Sequence, residues 1–348
     1  MNNSILIGPI NMGHSPRGGD TMKNQLFLKR FKDIFDTVVP VDTYNWRKRP
    51  WRLLKLFFLL ICHPQWKIII SANSRSAYVI IKILNFLGKA SRTYYWVIGG
   101  SLKKLLESHQ LNISTYKGLA GIFVEGKSMV KSLNENGLMN VSCVPNLKFI
   151  HTLPEKHPNC GAIFHFVFLS RIEREKGCDY IIRAAKLLDD LGYKKKYDIT
   201  FYGKTTIDLS YEEEFMKQID GNDSLIYKGV INLLDYHNYQ ELSEYDVMLF
   251  PTYWEGEGFP GVIIDAFIAG LPVIASDWNL NREVVSEGET GWIIPVHDVE
   301  ALALKMEYVI NNPEIVKTYS KNCQRQALAY DIRNVLSKDN MRKLGLIE

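Results

Sequence analysis

Glu257 and Asp265 stand eight residues apart, the first in a glycine-rich turn and the second in the apolar stretch behind it: Phe250-Pro251-Thr252-Tyr253-Trp254-Glu255-Gly256-Glu257-Gly258-Phe259-Pro260-Gly261-Val262-Ile263-Ile264-Asp265. At 3.6 residues per turn, a helix starting near Pro260 holds Asp265 inside it and leaves Glu257 in the preceding loop. Free N–H groups across positions 258–261 suit a phosphate. An ionised carboxylate beside them suits vicinal hydroxyls, from which it accepts two strong hydrogen bonds. A purely structural glycine turn needs no acids at these places. A second cluster, Ser170-Arg171-Ile172-Glu173-Arg174-Glu175-Lys176-Gly177, directly follows an apolar run. Ligands of open α/β sheets bind outside the carboxyl ends of the strands, so Arg171 and Lys176 sit where a diphosphate would be clamped. The plain alternative is a solvated charge run, and the position at a strand end favours the site.

A third cluster is Gly13-His14-Ser15-Pro16-Arg17-Gly18-Gly19-Asp20, after the first apolar run. Together with Gly8 it has the spacing of a P-loop, but His14 occupies the place of the lysine that reaches the phosphates, which argues against an ATPase. What remains is a glycine loop leading into a helix near Asp20 or Thr21, where Gly18-Gly19 would let the backbone approach a phosphate closely. An ordinary surface turn is the competing reading.

The elements that must carry these clusters are short β-branched runs alternating with longer amphipathic stretches, a pattern of repeated β-α units with parallel sheets. The pattern occurs twice. Strands are expected at 4–8, 38–41, 67–72, 93–98, 121–125 and 141–145, and again at 166–169, 199–203, 225–230, 247–251, 272–276 and 292–296. Between the two sets, residues 151–159 turn polar with Pro154 and Pro158, the best linker in the chain. Asn312-Pro313-Glu314 offers a helix start, and the tail from there to Glu348 reads as helix broken near Tyr330. There is no repeat with a period of 20–50 residues and no low-complexity tract.

A length of 348 residues suits two domains, and 46% hydrophobic with 23% charged residues is ordinary globular composition. The five cysteines are scattered without a C-x-x-C pair, so neither a disulfide framework nor a thiolate zinc site is encoded. No D-x-D triplet and no H-x-x-x-H pairing occurs, and no metal is expected. No basic region followed by an apolar stretch opens the chain, so a signal peptide is not expected and the cytosol is the default.

Charge is unevenly distributed. From Thr43 to Leu106 there is no Asp or Glu, while Arg47, Lys48, Arg49, Arg52, Lys55, Lys67, Arg75, Lys82, Lys89, Arg92, Lys103 and Lys104 supply twelve positive charges; against a whole-chain net of +4, the remainder carries −8. Such asymmetry points to a polyanionic partner. Within this stretch Arg47, Lys48, Arg49, Trp51 and Arg52 adjoin an apolar run of seven residues from Leu56, far short of the roughly 20 that span a bilayer. Basic residues attract anionic headgroups and tryptophan prefers the interface, so docking to an anionic leaflet is expected. A core helix with a basic outer face is the alternative. No nucleic-acid motif accompanies the basic stretch, and no G-x-G-x-x-G follows the first strand, which sets aside a nucleic-acid binder and a nicotinamide dehydrogenase.

With these residues in place, the chain resembles the retaining glycosyltransferases of family 4, which have the GT-B fold, in particular bacterial capsule and exopolysaccharide enzymes. The likeness runs from Glu257 to Asp265, where the family has Glu-x7-Glu, into Ala266-x-x-Ala269-Gly-Leu-Pro-Val-Ile-Ala-Ser276, and takes in Arg171, Lys176-Gly177, Gly18-Gly19, Val144-Pro145-Asn146 and Glu287-Gly-x-x-Gly291. It implies two Rossmann-like doubly wound α/β domains facing across a cleft. Residues 1–155 would form an acceptor- and membrane-facing domain, with a C-terminal helix at about 331–348 packing back on it, and residues 156–330 a nucleotide-sugar donor domain. It also implies metal-independent transfer of a hexose, with no cofactor, from a nucleotide-diphosphate sugar, UDP by family frequency, to a lipid-linked or growing glycan at the inner face of the plasma membrane. Arg171 and Lys176 would hold the diphosphate with help from Gly18, Gly19, Gly258, Phe259, Pro260 and Gly261. Glu257 would bind sugar hydroxyls, Asp265 the ribose, and the segment around Val230 would lie along the base. There are two departures: Asp265 is one methylene shorter than the family's Glu, and residues 95–101 lack the His often found near the reacting centre, so no general base is named. These departures motivate a second reading, a non-catalytic sugar-nucleotide-binding or scaffold subunit of a polysaccharide assembly complex.

Overall fold

Among the described residues, twelve short strands form two six-stranded sheets, every neighbouring pair parallel. The computed structural model describes residues 2–48, 51–156, 161–205 and 208–348, and the side chains of all of these except Arg47 and Leu53. Arg49 and linker positions 157–159 lie outside the described residues. The chain divides into two units, Met1–Phe149 with Asp331–Glu348, and Ile150–Tyr330.

The first unit holds β1 (Asn3–Gly8), β2 (Thr37–Asp42), β3 (Lys67–Asn73), β4 (Thr93–Ile98), β5 (Gly121–Val124) and β6 (Val141–Cys143), in the order β2-β1-β3-β4-β5-β6. Both faces of a parallel sheet are covered, so its strands read as continuous apolar runs. Ile5, Leu6 and Ile7 are all fully buried. Successive side chains point to opposite faces. Ile5, Ile7, Ile68, Ile70, Tyr95 and Val97 meet helices α2 (Trp51–Cys62) and α3 (Ser74–Phe86) through Leu56, Leu59, Leu60, Ala77, Ile81 and Leu84. Leu6, Ile69, Trp96 and Phe123 meet Phe27 and Phe31 of α1 (Gly19–Ile34) and the tail residues Ile332, Leu336, Met341 and Leu346. The tail is tied to this sheet by polar contacts as well. Tyr94 donates its hydroxyl to the Gly345 carbonyl at 2.7 Å, and Arg30 donates to the Leu336 carbonyl from Nε and Nη2.

The second unit holds β7 (Phe164–Leu169), β8 (Tyr197–Tyr202), β9 (Leu225–Tyr227), β10 (Val247–Phe250), β11 (Val273–Ser276) and β12 (Gly291–Ile294), in the order β12-β11-β10-β7-β8-β9. Phe166, Phe168, Ile199 and Phe201 pack on Ile181, Ala184, Ala185 and Leu188 of α4 (Cys178–Leu188); α5 (Gly261–Ile268) and α6 (Pro313–Ala327) follow later in the chain, and Val316 of α6 joins the same core. Strand β9 is shorter than the expected 225–230, ending where the chain turns into the left-handed Gly229 at φ +70°. After α6 the chain makes one tight turn at Leu328–Tyr330 and restarts at Ile332 under the Asp331 cap, whose carboxylate accepts the Arg333 N–H at 2.7 Å.

Candidate functional site

In the second sheet β7 and β10 lie side by side, while β8 and β9 extend to one side and β11 and β12 to the other. That is the topological switch point of a doubly wound sheet, and the crevice beyond its carboxyl ends is where such sheets bind ligands. The loops leaving β7 and β10 carry the two clusters of the second half of the sequence. Backbone contacts join them: Tyr253 N–H donates to the Glu175 carbonyl at 2.9 Å, and the Thr252 hydroxyl to the same carbonyl at 3.3 Å.

Lys176 and Glu257 form an ion pair, Nζ to Oε2 2.5 Å, with both side chains almost wholly buried. Burial pushes the Lys176 amine below its ordinary value, and the neighbouring Glu257 carboxylate opposes that shift. Trp254 backs the pair: Lys176 Nζ lies 4.1 Å and Arg171 Cζ 5.0 Å from its ring centroid, so two cations share one aromatic ring. The loop is pinned in this shape. Glu257 N–H donates to the Trp254 carbonyl at 3.0 Å, Trp278 Nε1 donates to that carbonyl at 2.8 Å, and Asn279 Nδ2 donates to the Glu257 carbonyl at 3.0 Å. Gly256 makes room for the indole, since a Cβ there would lie 2.6 Å from Trp254 Cζ2. Gly177, which follows Lys176, has φ +86°, and a Cβ on it would lie 2.4 Å from the Pro251 carbonyl oxygen. The close approach of the two loops therefore depends on glycine at that position.

Arg171 stands half exposed and pairs with Glu173. At the start of α5, Gly261 and Val262 have N–H groups with no preceding turn to bond to. Asp265 sits inside α5 as expected from the spacing, but its carboxylate is turned into the protein. It is 4% exposed, and Oδ1 accepts the Tyr239 hydroxyl at 2.5 Å. Burial, then the Asp265 charge and that hydrogen bond, push the Tyr239 phenol well above its ordinary value. Val230 is largely exposed in the segment after β9, beside Gly229, whose carbonyl accepts the Gly203 N–H at 2.7 Å.

In the first unit, Gly18 and Gly19 open α1 from an extended backbone, and the Thr21 hydroxyl accepts the N–H groups of Arg17 and Gly18 at 2.8 and 3.1 Å. Lys48 and Trp51 are exposed. Arg52 is not a free surface cation. Its Nη1 donates to the carbonyls of Asp42 (3.2 Å) and Tyr44 (2.9 Å) and lies 3.2 Å from Asp42 Oδ2, because the buried Asp42 carboxylate draws a counter-charge inward. Along α2, Trp51, Leu54, Phe57, Phe58 and Ile61 are exposed while Leu56, Leu59 and Leu60 are buried. No helix among the described residues is long and apolar enough to cross a membrane, and no group of three or more His, Cys, Asp or Glu among them could hold a metal ion.

Residues 152–339, more than half of the chain, match the model of the family described as glycosyl transferases group 1. The chain belongs to the group 1 glycosyl transferases. The group 1 region contains the whole of the β7–β10 site, while the glycine loop at 13–20 lies outside it. Similar curated proteins include the capsular polysaccharide biosynthesis glycosyltransferase CapM of Staphylococcus aureus, 27% identical over 160 residues, 46% of this chain and 40% of that one. Another is the amylovoran biosynthesis glycosyltransferase AmsK of Erwinia amylovora, 29% identical, over 39% of this chain and 33% of that one. The matches thus span well under half the length of these relatives. Among solved structures, sucrose-phosphate synthase from Thermosynechococcus elongatus superposes with a TM-score of 0.73 at 15% identity, over 99% of this chain and 98% of that one. Anabaena HepE, solved in complex with UDP and glucose, gives 0.71 at 15% identity over 99% of both chains. The fold of this group 1 member is GT-B, as the resemblance implied.

The sequence singled out Arg171, Lys176 and Glu257 but not what holds them. Trp254 was visible only as a neighbour of Glu257 in the glycine turn. Tyr239 carries no signal of its own, since nothing in the spacing ties it to Asp265, 26 positions away.

Proposed function

We propose that this chain is a retaining, metal-independent hexosyltransferase that moves a sugar from a nucleotide-diphosphate sugar, UDP-linked, onto a lipid-linked or growing glycan in capsule, exopolysaccharide or lipopolysaccharide biosynthesis. The observation that carries the reading is the buried Lys176–Glu257 pair backed by Trp254 at the β7–β10 switch point. A cation and a carboxylate held within one hydrogen bond of each other match the two ends of a sugar diphosphate, the lysine toward phosphate and the carboxylate toward sugar hydroxyls. Support also comes from relatives named as capsule and amylovoran glycosyltransferases, and from HepE, whose structure contains UDP and glucose.

In this mechanism the bond from the anomeric carbon to the diphosphate oxygen breaks and a bond from the acceptor hydroxyl oxygen forms on the same face. The hydroxyl proton passes to the departing phosphate oxygen, so no protein base is required. Charge building on the leaving diphosphate is met by Arg171, Lys176 and the N–H groups of Gly261 and Val262, which are oriented before the reaction begins. Glu257 holds the sugar, Asp265, with its carboxylate bonded to Tyr239, supports the ribose side of the site from within α5 rather than by direct contact, and the segment after β9 around Val230 flanks the base. Docking to the inner leaflet is assigned to α2, whose exposed Trp51, Leu54, Phe58 and Ile61 lie in the acid-free stretch.

The test is turnover. Purified protein is incubated with a panel of radiolabelled UDP-sugars and a lipid-linked acceptor extract, and transfer to the lipid phase is counted together with UDP release. Transfer from one UDP-sugar, with the donor's anomeric configuration kept in the product, supports the proposal. Tight UDP binding with no transfer to any acceptor favours the scaffold reading.

A further inference from the structure

On the first unit, a second arrangement of cationic groups lies beside the glycine loop. A cavity of about 180 Å³ is lined by His14, Arg17, Tyr44, Asn45 and Arg52, together with Asn11 and Met12. At about 30 Å³ per water it has space on the order of six water molecules. No carboxylate among the described residues lines it. The carboxylate behind it, Asp42, is already committed. Oδ1 accepts the N–H groups of Ile10, Asn11 and Tyr44 at 3.0, 3.2 and 2.9 Å, and Oδ2 accepts that of Met12 at 3.1 Å and pairs with Arg52. Burial raises the affinity of Asp42 for a proton, but the four N–H bonds outweigh it and hold the group below its ordinary value.

The same bonds fix the cavity wall. Asp42 anchors the start of the loop, Gln25 Nε2 holds the carbonyls of Ile10 (2.9 Å) and His14 (3.0 Å), Asn11 Nδ2 holds that of Ser15 (2.9 Å), and Thr21 holds the end. Within this frame Arg52 spends only Nη1 on protein, leaving Nε and Nη2 without a partner among the described residues. Arg17 has no ion pair among the described residues and stands exposed at the rim. Two guanidinium groups with unspent donors, an imidazole, the Tyr44 hydroxyl and the Asn45 amide thus surround one small space. Guanidinium forks match phosphate oxygens in pairs, which a spherical or neutral ligand does not exploit.

We propose that this cavity binds a phosphate or diphosphate group other than the donor's, the one that links the acceptor glycan to its lipid. Naming the acceptor rests on the glycosyltransferase reading; the anion site itself does not. A phospholipid headgroup offers the same phosphate chemistry, and the test separates the two sources.

Calorimetry with inorganic pyrophosphate is run in saturating UDP, which fills the second-unit site. Wild type should bind pyrophosphate, Arg17→Gln should bind it about tenfold more weakly, and Arg17→Lys, which keeps the charge but not the fork, should recover only part of the loss. Both variants should bind UDP as wild type does, which reports an intact fold. Equal pyrophosphate binding by wild type and Arg17→Gln, or none by wild type, overturns the proposal. In a parallel arm, sedimentation with phosphatidylglycerol vesicles at low salt that is unchanged in Arg17→Gln assigns the site to the acceptor phosphate. Sedimentation that falls along with pyrophosphate affinity moves the site to a headgroup and overturns the acceptor assignment. If wild type binds no UDP, the donor reading fails by itself, and pyrophosphate binding to Lys176→Ala, with Arg17→Gln added or not, still decides the cavity.

Discussion

Replacing Gly177 with alanine tests how the two loops of the site are held against each other. The backbone there is left-handed at φ +86°, which costs an L-residue about 1–2 kcal/mol. The new Cβ would stand 2.4 Å from the Pro251 carbonyl oxygen and 2.8 Å from its carbon, both backbone atoms that cannot rotate away. Forcing such an overlap costs typically about 1–3 kcal/mol more. A total of about 3 kcal/mol, in a unit of this size, lowers Tm by roughly 6–12 °C. The displacement also moves Lys176 away from Glu257 and Trp254, so UDP affinity should fall with stability. Gly192 supplies the control, because it too has φ +86° but a Cβ there would meet nothing within 4 Å. Gly192→Ala should therefore pay only the backbone cost, a drop of about 2–4 °C per kcal/mol, with UDP binding unchanged. Thermal unfolding by circular dichroism and calorimetry with UDP read both variants. If Gly177→Ala loses no more stability than Gly192→Ala and keeps its UDP affinity, the steric reasoning about the loop junction is wrong.

Other parts of the molecule make separate predictions. Lys156 is partly buried, donates to the carbonyls of Ser243 and Tyr245, and has its pKa pushed down to about 8 by desolvation. The unfolded chain binds that proton up to about pH 10.4, so between pH 8 and 9.5 stability should rise with pH by up to about 1.4 kcal/mol per unit, a slope that urea melts should find missing in Lys156→Met. Tyr239→Phe removes a buried donor from Asp265 and should cost about 1–3 kcal/mol in urea unfolding, with weaker UDP binding; an unchanged melt would mean the contact is energetically idle. Changing Leu54, Phe58 and Ile61 together to serine should abolish sedimentation with anionic vesicles at low salt while leaving Tm intact, because all three side chains are exposed. Sedimentation that survives the change would take α2 out of the membrane reading.

Much of the architecture is legible in the sequence because parallel strands buried on both faces leave uninterrupted apolar runs, as at Ile5-Leu6-Ile7 and Ile68-Ile69-Ile70. Strand ends were less legible. The expected strand at 225–230 stops at Tyr227 because Gly229 leaves the extended region, which composition alone does not reveal. Arg171 stood out as a charge directly after an apolar run, and Lys176 and Glu257 as charges beside glycine in the loops that follow such runs. That Lys176 and Glu257 touch was not readable, since 81 positions separate them and only the adjacency of β7 and β10 brings them together. Asp42 and Tyr239 left no trace, because a lone acid at a strand end or a lone tyrosine in a short helix has no spacing to betray its partner. Arg52 looked like one more surface charge in a basic run, and only the buried carboxylate beside it shows why it turns inward.

The central claim is that Lys176 and Glu257 hold the two ends of a nucleotide-diphosphate sugar. The most direct measurement is calorimetric titration of wild type, Lys176→Ala and Glu257→Ala with UDP and, in parallel, with uridine. The account predicts micromolar UDP binding to wild type and a loss of tenfold or more in Lys176→Ala. It also predicts little change for uridine in that variant, because the lysine meets only the phosphates. UDP binding to Lys176→Ala as tight as to wild type, or equal losses for UDP and uridine, would contradict it.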